Sequence, residues 1–324
     1  MQAAMYVLAA LTAAAPAAQD TPARPRQVSE ATAAERDRVL AEAASELQAG
    51  RRAEANRLLE SAAGRFESVR ILLQLGRLQS GDGDAAGALA TLARARDLAP
   101  NADEVLSAIA QVSLAARAPV PAILALEPLA RMHATVPEHH YLLGVALMQA
   151  GDMQSAIAAL REAEGLDPDR PLTLIALGIA FNDRKMFDEA KAVLLRALER
   201  APDNVEAMAA LAEAEEGLGH LDAADRHAAR VLDRAPANAT ALLVVGMVRM
   251  KTGRYEEART ALERAAEADP DSPKTSYQLS LACARLGDSE GSTQHLNAYR
   301  EKLRALGARV EAIRKAGVTV RGGI

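Results

Sequence analysis

The chain has no tryptophan, and aromatic residues make up only 2% of it. Half of its residues are nonetheless hydrophobic, with alanine supplying much of that half. Sheets favour β-branched and aromatic side chains, so this balance argues for close-packed helices. A single cysteine, Cys283, excludes an internal disulfide and a cysteine-rich zinc site. There is no basic excess: the net charge is −5, whereas a protein that grips duplex nucleic acid carries a positive balance. No apolar run is long enough to span a bilayer comfortably. Catalytic signatures are missing too. The sequence contains no phosphate loop, no Gly-x-Ser-x-Gly and no His-Glu-x-x-His. His139 and His140 are adjacent, so on a helix they point about 100° apart and do not share a metal as an i, i+4 pair does. No catalytic, cofactor-binding or metal-binding residue is assigned, and the chain reads as a non-enzyme.

What is present is a period. Pro168, Pro202, Pro236 and Pro270 are each 34 residues apart. In the stretch from Pro171 to Asn204, Leu174, Leu177, Gly178 and Phe181 fall at i, i+3, i+4 and i+7, one stripe of an α-helix. Residues 183–185 break the pattern. A second stripe follows at Ala190, Val193, Leu194, Ala197 and Leu198, and Pro202 stops it. One period therefore predicts two short antiparallel helices. Neither can bury its stripe alone, so neighbouring units must stack.

The other copies keep the same key positions. A small residue recurs at Gly76, Ala110, Gly144, Gly178, Ala212, Gly246 and Ser280. Twelve residues later stand Ala88, Ala122, Ala156, Ala190, Ala224, Ala258 and Ser292. Four further on stand Leu92, Leu126, Leu160, Leu194, Ala228, Leu262 and Leu296. This spacing resembles the tetratricopeptide repeat, or TPR: Leu-Gly, then Ala, then a large apolar residue, then Pro. The family's early tryptophan is replaced by Leu72, Leu106, His140, Leu174, Met208, Leu242 and Ser276. The resemblance implies an all-α, right-handed superhelical solenoid of helix pairs, closed by a C-terminal capping helix.

Taken in order, residues 1–18 read as a signal peptide, with Ala15-Pro16-Ala17 as the cleavage site and the α-amino group as its only positive charge. That implies an exported, periplasmic protein, with a cytoplasmic one as the alternative. Residues 19–35 read as a linker. Repeats are expected at 36–68, 69–102, 103–136, 137–170, 171–204, 205–238, 239–272 and 273–306, the first being degenerate. The 103–136 repeat holds Pro128 inside its second helix and has Ala134 where a proline is due, which predicts a weak joint. Residues 307–316 complete the terminal helix and 317–324 form a loose tail. The stripe Leu296, Tyr299, Leu303, Leu306, Val310 and Ile313 suits a cap, or alternatively a homodimer seam through Leu303–Ile313.

A second stripe on each first helix, at positions five, nine and twelve, lines the concave groove in TPR proteins. Here it comprises Tyr141, Val145 and Met148; Ile175, Ile179 and Asn182; Ala209, Glu213 and Glu216; Leu243, Met247 and Met250; and Tyr277, Leu281 and Ala284. Apolar surface beyond what packing needs marks a binding site. The carboxylate clamp of chaperone-binding TPR proteins is absent, since Leu73 and Arg77, Ser107 and Gln111, and Tyr141 and Val145 stand at its positions. The expected function is a scaffold that binds a peptide or helix of a protein partner, with a ligand cation over Glu213 and Glu216 between apolar anchors. The alternatives are a homo-oligomeric structural component and, from another class, an enzyme or enzyme accessory domain.

Overall fold

The computed structural model describes residues 30–315. Within them the chain forms sixteen α-helices and no strand. It divides into two compact units at His133/Ala134, the junction at which Ala134 stands in place of the recurring proline. The first unit holds α1 (Glu30–Gln48), α2 (Arg52–Arg65), α3 (Val69–Gly81), α4 (Ala85–Leu98), α5 (Asp103–Ala115) and α6 (Pro119–Met132). The second holds α7 (Pro137–Ala150), α8 (Met153–Leu166), α9 (Pro171–Asp183), α10 (Phe187–Arg200), α11 (Val205–Gly217), α12 (Leu221–Arg234), α13 (Ala239–Lys251), α14 (Tyr255–Ala268), α15 (Pro273–Arg285) and α16 (Ser289–Lys315). Odd-numbered helices are the first of each pair and even-numbered ones the second. The described residues are thus an all-α solenoid of helix pairs.

The recurring small residues set the distance within each pair. A Cβ added to Gly178 would lie 2.4 Å from Leu194 Cγ, and one added to Gly246 would lie 2.5 Å from Leu262 Cγ. The leucine of the second helix fills the notch that the glycine leaves in the first. Between pairs, Phe187 at the start of α10 lies against Gly217 at the end of α11. Val231, Ala228 and Ala224 on α12 meet Ala241, Val244 and Val248 on α13 in one buried cluster. The turns between repeats are tied down as well. Arg200 reaches Asp169 at 2.8 Å and Arg234 reaches Asp203 at 2.7 Å. The aspartates of these turns are therefore structural partners of arginines on the following second helix.

Helix α1 begins at Glu30, so residues 30–35 are helical where a linker is expected. The reason is composition: Glu30, Ala31, Ala33, Ala34 and Glu35 are strong helix formers without an amphipathic period. Pro128 lies within α6, which is continuous around it. Helix α16 runs 27 residues without a break, so residues 307–315 prolong the last second helix. Earlier on this helix, Leu303 is 43% exposed, while Leu306 rests against Gly151 at the end of α7. The first and last repeats of the second unit therefore touch. The expected signal peptide, most of the expected linker and the expected loose tail lie outside the described residues.

Candidate partner-binding groove

The three stripe positions separate into rows of different character. Position five is buried in the three internal repeats of the unit: Ile175 is 2% exposed, Ala209 2% and Leu243 6%. The neighbouring first helices close over it. At the start of the unit Tyr141 is half-buried, and at its end Tyr277 is exposed. Position nine stays accessible throughout. Val145, Ile179, Glu213 and Met247 are partly exposed and Leu281 is exposed. Position twelve is mixed, with Met148 and Met250 partly exposed, Asn182 and Glu216 between them buried, and Ala284 open.

The buried members of the stripe therefore belong to packing. Asn182 Nδ2 donates to the Ala210 carbonyl at 2.8 Å, which fastens α9 to α11. Ile175 and Leu243 fill the seams between first helices. What remains accessible is a shallow apolar track of Val145, Met148, Ile179, Met247, Met250 and Leu281. Tyr141 and Tyr277 stand at its two ends. The Arg170 guanidinium lies 4.6 Å from the centre of the Tyr141 ring and pairs with Glu138. Burial pushes the Tyr141 phenol up, against the opposing pull of Arg170.

The acidic middle differs from expectation. Glu213 does not await an external cation, because Lys274 Nζ sits 2.9 Å from its Oε1 and 3.3 Å from Asp183 Oδ1. Lys274 belongs to the first turn of α15, Glu213 to α11 and Asp183 to the end of α9. The curvature of the unit carries the ammonium across to both carboxylates. Burial works against its charge, but Glu213 and Asp183 outweigh this and raise its pKa. Glu216 is only 2% exposed and faces Lys251 Nζ at 2.7 Å. Burial pushes its carboxyl up in spite of that lysine. Two lysines that position-by-position reading passes over thus already hold the glutamate pair.

A third carboxylate is also internal. Glu215, next in sequence but on another face, accepts from His220 Nδ1 at 2.6 Å and from Lys191 Nζ at 3.0 Å. Burial works to raise its pKa, but these two hydrogen bonds prevail and lower it. His220 and His227 lie in turn and helix respectively. Among the described residues, no group of three or more His, Cys, Asp or Glu side chains is placed to hold a metal. Cys283 is buried, and that burial pushes its thiol up. No described helix is long and apolar enough to cross a membrane.

The architecture has known counterparts. A protein described as a tetratricopeptide repeat protein from Parabacteroides merdae superposes with a TM-score of 0.61 at 15% identity, covering 76% of this chain and 98% of its own. PilW, described as a type IV pilus biogenesis factor, gives 0.51 at 19% identity over 64% of this chain and 96% of its own. The Cut9–Hcn1 assembly of the APC/C gives 0.54 at 19% identity over 74% of this chain and 48% of that one. At these identities the likeness concerns the fold. No curated protein matches the sequence. Two family models, both described as tetratricopeptide repeat, match residues 121–171, 210–273 and 246–305 in one case and 147–214 in the other. They leave no gap from 121 to 305, more than half of the chain, and with the helix-pair solenoid they establish that this chain belongs to the tetratricopeptide repeat family.

Proposed function

We propose that the second unit is a protein-interaction scaffold whose concave track takes a short segment of a protein partner. The observation that carries this reading is the accessible apolar row at position nine, Val145, Ile179, Met247 and Leu281, which helix packing leaves uncovered. Each well-buried apolar anchor of a ligand contributes about 1.5–3 kcal/mol. The Lys274–Glu213–Asp183 group carries one positive and two negative charges, so a ligand cation there shares the carboxylates with Lys274. Charge at this point tunes selectivity, since an exposed ion pair gives about 0–1 kcal/mol. Flexible methionines at positions nine and twelve let the walls adapt to several related sequences. Export to the periplasm, proposed from residues 1–18, would place the partner there.

A photo-reactive residue at Met247 should trap a partner in the native host, and one at the exposed Leu195 of α10 should not. The trapped partner should be lost on Ile179→Asp or Val145→Asp at any salt concentration. It should be weakened on Glu213→Gln only at low salt, where screening is least. Equal trapping at Met247 and Leu195 would show that the groove is not the site.

A further inference from the structure

The row of first helices in the second unit is curved, and one ion group runs along the chord of the curve. Lys274 in the first turn of α15 reaches Glu213 Oε1 on α11 at 2.9 Å and Asp183 Oδ1 at the end of α9 at 3.3 Å. Both contacts skip α13, the first helix that stands between. In a curved row, a side chain joins non-adjacent members only on the inner side, so the Lys274 side chain lies across the concave face. Leu306 on α16 spans further, to Gly151 at the end of α7. The charges stand only where they meet. Lys274 is the cation of position two, where the other repeats of the unit have Glu138, Leu172, Glu206 and Thr240. Glu213 is the only carboxylate at position nine of this unit and Asp183 the only one at position thirteen. The side chains of Lys274 and Asp183 are 42% and 39% exposed. Their attraction is therefore screened by salt and open to competition from other cations.

We propose that Lys274 is a clasp that draws the last repeat inward over the position-nine track, and that cations competing for Asp183 and Glu213 release it. In the clasped state the curve is tight and the track between Ile179 and Met247 is narrow. In the released state Lys274 leaves both carboxylates, the last repeat swings outward and the track widens. The contact of Leu306 with Gly151 does not hold the curve by itself, since Leu306 is only half-buried there. A ligand can shift such a balance only by favouring one state over the other, and a cation delivered to Asp183 and Glu213 favours the released one. Where the ligand of the track brings that cation, binding and opening become one event. That last step rests on the partner reading above, whereas the clasp itself is measured on the chain alone, so either can fail without the other.

The distance between spin labels on α8 and α16 tests it. The labels are attached at Glu162→Cys and Glu301→Cys, both exposed sites, in the full chain with the buried Cys283 replaced by alanine. At low salt this reference chain should give a short distance. Lys274→Met should shift it to longer values, beyond the width of the reference distribution, and Asp183→Asn combined with Glu213→Gln should match that shift. Lys274→Arg keeps the charge and should keep the distance short. Added sodium chloride should lengthen the distance in the reference chain and leave that of Lys274→Met in place. Helical circular dichroism should be the same throughout, and if Lys274→Met lowers it, Lys274→Gln replaces it. A distance in the Lys274 variant equal to that of the reference overturns the proposal. So does a salt-dependent shift of the same size with and without Lys274.

Discussion

Adjacent residues with the same side chain have opposite consequences here. The carboxyl of Glu215 is lowered, because the hydrogen bonds from His220 and Lys191 outweigh its burial. The carboxyl of Glu216 is raised, because its burial outweighs Lys251. A lowered carboxyl stabilises the fold above the unfolded carboxylate pKa of about 4.3, and that stability is lost as pH falls through the folded value. A raised carboxyl does the reverse: its contribution is complete at low pH and disappears as pH rises through the folded value. Glu215→Gln should therefore cost about 1–2 kcal/mol at neutral pH and shrink toward zero in acid. Glu216→Gln should be neutral or stabilising at neutral pH. Urea unfolding of both variants from pH 3 to pH 8 checks the signs. At the same scale, Gly246→Ala replaces a poor helix former, yet its Cβ meets Leu262 at 2.5 Å. The clash should outweigh the propensity gain and cost about 1–3 kcal/mol, read in the same experiment.

Helix identity and helix pairing were legible because they rest on local periodicity and on residues such as Gly178 and Leu194, which face each other inside one repeat. Groove polarity was less so. The exposed face of one helix shows that Glu213 belongs to the groove. It does not show that Lys274, two repeats on, arrives at its carboxylate, because that depends on the small rotation accumulated from repeat to repeat. Position five presents the same difficulty: whether Ile175 and Leu243 are groove or seam is decided by how tightly successive first helices approach. The start of α1 was missed for another reason, namely that alanine and glutamate favour helix without leaving an apolar stripe. Helix α6 is where an element-level rule is broken and tolerated. Pro128 forgoes a backbone hydrogen bond and crowds the preceding turn, yet the helix continues. Pro128→Ala should raise stability by about 1–3 kcal/mol, seen as a higher urea midpoint for the transition that includes α6.

For the whole molecule, the division at His133/Ala134 coincides with the expected weak joint. Limited proteolysis should nick the helical array first between Arg117 and Val136, and first cleavage within 171–235 would contradict this. Residues 1–20 fused to a reporter active only outside the cytoplasm should give signal, and a native N-terminus at Met1 would refute export. Within the second unit, the contact of Leu306 with Gly151 changes how thermal opening proceeds. An ordinary solenoid behaves as a one-dimensional chain in which each module feels only its neighbours, so it frays inward from its ends. Here the two ends of the unit are each other's neighbours, and Lys274 adds a bond that skips a module. Fraying from α16 must first release α7, so the amides of these two helices should exchange hydrogen with similar protection, and Leu306→Ala should lower both together.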